Sequence, residues 1–168
     1  MSIAENIKTA EEHLEAESKR ELDRLLGTLA DECVYEENLL KRPVQGKEEI
    51  AQYYQELWRA FPDFTYVVTN RVADEESVIY EMTFRGTHTG PFRGIPPTGR
   101  NGEIKGVIVF PMKDGKALGE RIYLDGLGLL TQIGLLPDPE STFGRLLFFL
   151  LTLRLKLRSL LAPTAPGS

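Results

Sequence analysis

The chain has 168 residues, 42% of them hydrophobic and 27% charged, which suits one globular domain able to bury a core without covalent staples. Cys33 is the only cysteine, so an internal disulfide is excluded and a reducing, cytoplasmic setting is expected. The net charge of −5 divides into −9 over residues 1–140 and +4 over residues 141–168, and an acidic body argues against nucleic acid, whose affinity draws on phosphate neutralisation.

The stretch from Met1 to Glu21 is too charged for a signal peptide. Ser2-x-x-Glu5 and Ser18-x-x-Glu21 are capping-box signatures, each predicting a helix start. Ile3, Ile7, Ala10 and Leu14 follow at helical spacing in the first, and Leu22, Leu25, Leu26 and Leu29 in the second. A short strand is predicted at Cys33–Glu37. A third helix follows Gly46, with Ile50, Tyr53, Tyr54, Leu57, Trp58 and Phe61 as its apolar face and Pro62 as its stop. Strands are then predicted at Tyr66–Val72, Val78–Thr89, Lys105–Met112 and Leu118–Leu124. The last two are joined through Asp114-Gly115, the pair that a tight type I′ hairpin wants. Residues 89–102 are a Gly/Pro-dense loop, and Leu127–Ile133 reads as one or two helical turns stopped by Gly134. Helices first and consecutive antiparallel strands after them are the α+β signature.

Several segments together resemble one family. They are Gly46-Lys-Glu-Glu-Ile50, Trp58-Arg-Ala-Phe-Pro-Asp63, the loop from Gly86 to Arg100, Asp114-Gly-Lys, Glu120-Arg-Ile-Tyr-Leu-Asp125 and Leu129-Leu-Thr-Gln-Ile-Gly134. In this order they resemble the SnoaL-like polyketide cyclases of the nuclear transport factor 2-like superfamily, over roughly residues 3–136. The domain is accordingly placed at 1–136 and a C-terminal extension at 137–168. The resemblance implies a cone-shaped α+β fold, with N-terminal helices packed on a curved, mostly antiparallel sheet around a deep pocket. It also implies acid/base catalysis of an intramolecular aldol closure without metal or cofactor, by a carboxylate at the end of the last strand. Asp125 occupies that position. Isomerases, epoxide hydrolases and binding domains share the wider fold, so fold alone does not fix function.

Alternation puts Arg121, Tyr123 and Asp125 on one face of the last strand. Inside an apolar pocket the Asp125 carboxylate would lose hydration, rise in pKa and serve as acid or base. The alternative is a helix N-cap. His88, at the end of a long strand, could polarise a carbonyl or simply hold the loop. Only one of Glu36 and Glu37 can face inward, and Glu37 is preferred beside Tyr35, the alternative being two solvated acids on an edge strand. Tyr54 and Trp58 on the third helix, with Phe84 and the loop residue Phe92, could wall a flat ligand, although a helical aromatic stripe is more often core. His13 is assigned to structure or surface. A metal site is not expected, because two distant histidines and one cysteine match no ligand spacing. An epoxide-hydrolase Asp–Arg–Asp set would have Arg85 or Arg121 and Asp125, but lacks a second strand-borne aspartate.

Leu146–Leu161 is eleven-sixteenths apolar, too short and too charged for a membrane span. Such a helix must be covered by its own body, by a second subunit in a homodimer, or by a membrane surface contacted through residues 144–161. Residues 162–168 read as a loose tail. The expected function is a cofactor-independent cyclase or isomerase acting on an apolar carbonyl compound. The alternatives are a lipophile-binding protein peripheral at a membrane and an epoxide hydrolase-like enzyme.

Overall fold

The first capping box forms as the sequence requires. Glu5 N–H donates to Ser2 Oγ at 3.3 Å, and Ser2 N–H donates to Glu5 Oε2 at 2.9 Å. It opens helix α1 (Ile3–Lys19) in the computed structural model, which describes residues 2–161. The tail expected at 162–168 lies outside the described residues. The second capping box does not form. Ser18 stays inside α1 and donates to the Tyr66 hydroxyl at 2.8 Å, and the chain breaks at Arg20 in the left-handed region (φ 57°). Helix α2 (Leu22–Gly27) therefore starts on Glu21, with no side-chain cap.

Strand β1 (Leu29–Glu37) begins four residues before the predicted Cys33, and a two-residue strand β2 (Val44–Gln45), absent from the sequence reading, pairs with it. Helix α3 (Gly46–Ala60) ends just before Phe61-Pro62. Strands β3 (Thr65–Ala73), β4 (Ser77–Thr87), β5 (Asn101–Lys113) and β6 (Lys116–Leu124) follow as antiparallel neighbours. At the β5–β6 turn Asp114 and Gly115 both take positive φ (48° and 76°), as a type I′ hairpin demands. The six strands run β2-β1-β6-β5-β4-β3, and β1 lies parallel to β6. This curved, open sheet with helices on its concave side is an α+β fold of the nuclear transport factor 2-like kind.

Alternation on β4 turns Val78, Tyr80, Met82 and Phe84 inward, and on β5 Ile104, Ile108, Phe110 and Met112. These side chains meet Ala10, Leu14, Leu25, Ile50 and Tyr54 from the helices, forming one core. Beyond the sheet come a short helix α4 (Gly126–Gln132) and a long helix α5 (Thr142–Leu161). Among the described residues no helix is long and apolar enough to cross a membrane.

Candidate active site

The core does not close completely. Between α1, α3 and the concave face of the sheet it leaves a cavity of about 90 Å³, several times the room one water needs. Its walls are mostly apolar: Tyr53, Tyr54, Leu57, Phe61, Phe64, Phe84, Phe92, Ile104, Ile108, Ile122, Leu124 and Leu129. Five charged side chains interrupt that lining; Arg85 turns out to an exposed pair with Glu103, and the other four form two clusters.

Glu17 and Glu120 belong to the first. Glu17 continues the buried face of α1, three residues beyond Leu14 and four beyond His13. Glu120 owes its direction to a bulge. The β1–β6 register slips between Leu29 and Val34, opposite Ala117 and Gly119. Gly119 takes φ 126°, and a Cβ there would lie 1.9 Å from the Val34 carbonyl oxygen. After this slip Glu120, Ile122 and Leu124 share the inner face of β6.

Glu120 Oε1 sits 2.9 Å from His13 Nε2 and accepts from the Tyr54 hydroxyl at 3.2 Å. The Tyr35 hydroxyl lies 3.0 Å from the same His13 nitrogen and 3.2 Å from the Tyr54 oxygen. Hydrogen bonding assigns the protons. Thr28 Oγ1 donates to the Leu25 carbonyl at 2.6 Å, so toward His13 it can only accept, and His13 Nδ1 (2.6 Å away) carries a hydrogen. His13 Nε2 meets Glu120 Oε1 and the Tyr35 and Tyr54 hydroxyls within one buried polar cluster. Burial, and secondly the charge of Glu120, push the Glu17 carboxyl well above the usual carboxylate range. Burial, and then the Glu120 charge, likewise push the Tyr54 hydroxyl up, keeping it a donor.

The second cluster reaches solvent through Arg93, whose side chain is 21% exposed. Glu37 is buried and Glu36 exposed, where it pairs with Arg121 at 3.2 Å. Arg93 meets Glu37 with both arms of its guanidinium, at 2.8 and 2.5 Å, and the Tyr53 hydroxyl donates to Glu37 Oε2 at 2.9 Å. Arg93 reaches this place from a tight turn. Arg93 and Gly94 both have positive φ (51° and 79°), and Phe92 and Ile95 exchange backbone hydrogen bonds at 3.0 and 2.8 Å. The guanidinium also stands 4.6 Å from the Phe92 ring centre.

Several sequence expectations are corrected by this geometry. Asp125 does not reach the cavity. It is exposed and caps α4, its Oδ1 accepting from Gly128 N–H at 2.9 Å. Tyr123 and Arg121 share its face as alternation required, but that face is the outer one, and Tyr123 is 54% exposed. His88 is fully buried outside the cavity. It stacks on Phe61 at 5.2 Å and binds the loop through Thr98 Oγ1 at 3.3 Å, and its backbone pairs with Arg100 and Gly99. Burial lowers its pKa, so the ring stays neutral and serves the loop. Tyr35 and Trp58 stand behind the lining, packed on Tyr54 at 5.8 and 5.4 Å, whereas Tyr54, Phe84, Phe92 and Glu37 line the cavity. His13, assigned to structure or surface, is fully buried in the polar cluster. Sequence reasoning missed Glu17, Glu120 and Arg93.

The SnoaL-like polyketide cyclase profile matches residues 8–133, three-quarters of the chain. The chain belongs to that family. A proposed SnoaL-like polyketide cyclase from Jannaschia sp. CCS1 superposes with a TM-score of 0.73 at 23% identity, covering 80% of this chain and 94% of that one. AclR from Streptomyces galilaeus, a proposed hydroxylase, gives 0.70 at 26% identity, covering 82% and 89%. IdmH from Streptomyces antibioticus, a proposed polyketide cyclase, gives 0.65 at 26% identity, covering 77% and 98%. No curated protein matches this SnoaL-like chain.

Proposed function

We propose that the protein is a cofactor-independent acid/base enzyme acting on an apolar carbonyl compound, of cyclase or isomerase type, with Glu120 and Glu17 as its working carboxyl groups. One observation carries this reading: a carboxyl kept neutral by burial and a carboxylate tied to a histidine line the same apolar cavity. A carboxyl that burial keeps protonated can serve as the acid beside a second carboxyl that accepts a proton.

Glu120 takes the proton from the carbon next to the substrate carbonyl. Glu17 gives its proton to the carbonyl oxygen, so the electron pair left on carbon becomes an enol rather than a free enolate. In an aldol closure that carbon then bonds to a second carbonyl carbon of the same molecule, whose oxygen collects the proton from Glu120. Return of the first carbonyl's proton to Glu17 restores the starting enzyme. In an isomerisation the Glu120 proton goes back at a different carbon. His13, Tyr35 and Tyr54 hold Glu120 in place, and the aromatic walls keep water from quenching the intermediate.

The test is solvent exchange. The purified chain in deuterium oxide is given 2-tetralone and a β-keto ester, and α-proton loss is followed by NMR. Exchange faster than in buffer is expected, falling about 10²–10⁴-fold in Glu120→Gln and Glu17→Gln. A wild-type rate in Glu120→Gln, or no exchange above buffer with a probe shown to occupy the cavity, would overturn the assignment and leave a binding protein.

A further inference from the structure

Helix α5 has a composition that the body of the protein does not explain. Phe143, Leu146, Phe149, Leu150, Leu155 and Leu157 are each more than half exposed, and every residue from Arg145 to Leu157 is exposed except Leu147, which is partly buried. The apolar surface also runs around the helix. Successive residues are 100° apart, so Leu146, Leu147, Phe148 and Phe149 point to four sides. A flat protein surface covers one side of a helix. A medium of acyl chains covers every side it reaches.

The charges choose the medium. No acid follows Glu140, while Arg145, Arg154, Lys156 and Arg158 give residues 141–168 a charge of +4. The charge-free run from Leu146 to Leu153 is about 12 Å long, against roughly 30 Å of bilayer hydrocarbon. The helix is therefore too short to cross and sinks into one leaflet, with leucine and phenylalanine among acyl chains and the arginine and lysine stems reaching toward headgroups. We propose that α5 docks the protein on an anionic lipid surface. The acidic body, at −9, is held off that surface by the same charge rule, so the attraction is confined to the helix.

The full chain is tested by co-sedimentation with vesicles of phosphatidylcholine alone and with phosphatidylglycerol added, at low and high salt, with Arg154→Glu/Lys156→Glu as the variant. Binding to the anionic vesicles is expected, weak to the neutral ones and falling with salt. Two basic residues at a lipid surface are each worth about fivefold, so the variant should bind at least roughly twenty-five-fold more weakly. Both positions are exposed, and a shared melting curve for variant and wild type confirms that only docking is changed. Three results would overturn the proposal. They are no binding to anionic vesicles, equal binding by the variant, and a dimer in sedimentation equilibrium that Leu150→Asp dissolves while vesicles are ignored.

Discussion

Removing the Arg93 side chain isolates the energetics of the Glu37–Arg93 pair. In Arg93→Ala the Glu37 carboxylate, whose side chain is 1% exposed, keeps only the Tyr53 hydroxyl. Leaving one member of a buried ion pair without its partner costs about 3–5 kcal/mol. Arg93 is itself 21% exposed, so water softens the loss, and about 2–4 kcal/mol is the working figure. For a chain of this size each kcal/mol moves the melting temperature by about 2–4 °C, which puts the drop near 10 °C. Scanning calorimetry of four proteins reads it: wild type, Arg93→Ala, Glu37→Gln and Glu37→Gln/Arg93→Ala. The double variant contains no bare carboxylate and should recover most of the loss. The loop should stay in place in all four, because Glu56 still accepts the backbone N–H of residue 93. A drop below about 2 °C, or a double variant no better than Arg93→Ala, would show that Glu37 does not depend on Arg93.

Glu17 makes stability depend on pH. Its folded-state pKa is raised above the ordinary 4.5, so the native state holds the proton more tightly than the unfolded chain does. The stabilisation from this group is complete below pH 4.5 and is lost as pH climbs through the raised value. Urea unfolding across pH 5–9 should therefore show wild type weakening relative to Glu17→Gln, and parallel curves would refute the burial argument. Asp125→Ala removes the α4 cap and should cost about 1 kcal/mol in urea unfolding, while α-proton exchange is unchanged. Loss of exchange in a folded Asp125→Ala protein would return Asp125 to the chemistry.

The fold was readable because its signals are local. The Ser2 capping box, the Pro62 stop and the Asp114-Gly115 hairpin each act within a few residues, and each stands in the structure. Ser18-x-x-Glu21 misled because its serine is claimed by Tyr66, 48 residues away in sequence. The site was half legible. Alternation on β6 assigned Ile122 and Leu124 to the face opposite Asp125, and Glu120 lies on that same face, two residues back. The stripe Ile3-Ile7-Ala10-Leu14 likewise runs on to Glu17 at helical spacing. A carboxylate that continues an apolar stripe is the signal that was available for both. What no spacing rule contains is Arg93, which comes to Glu37 from 56 residues along the chain through a turn with two positive φ angles.

The cluster around His13 joins four elements at one point: α1, β1 through Tyr35, α3 through Tyr54 and β6 through Glu120. Sliding α1 along the sheet would have to break several buried hydrogen bonds at once, so the base of the cavity is stiff. The Glu37–Arg93 contact joins only a strand end to a loop, and its guanidinium already touches solvent. On the proposed function, a ligand is expected to pass on the Glu37–Arg93 side, and its residence time should follow the strength of that ion pair. A variant with a weaker latch would exchange its ligand faster while the geometry of the floor, and the step carried out there, stays the same.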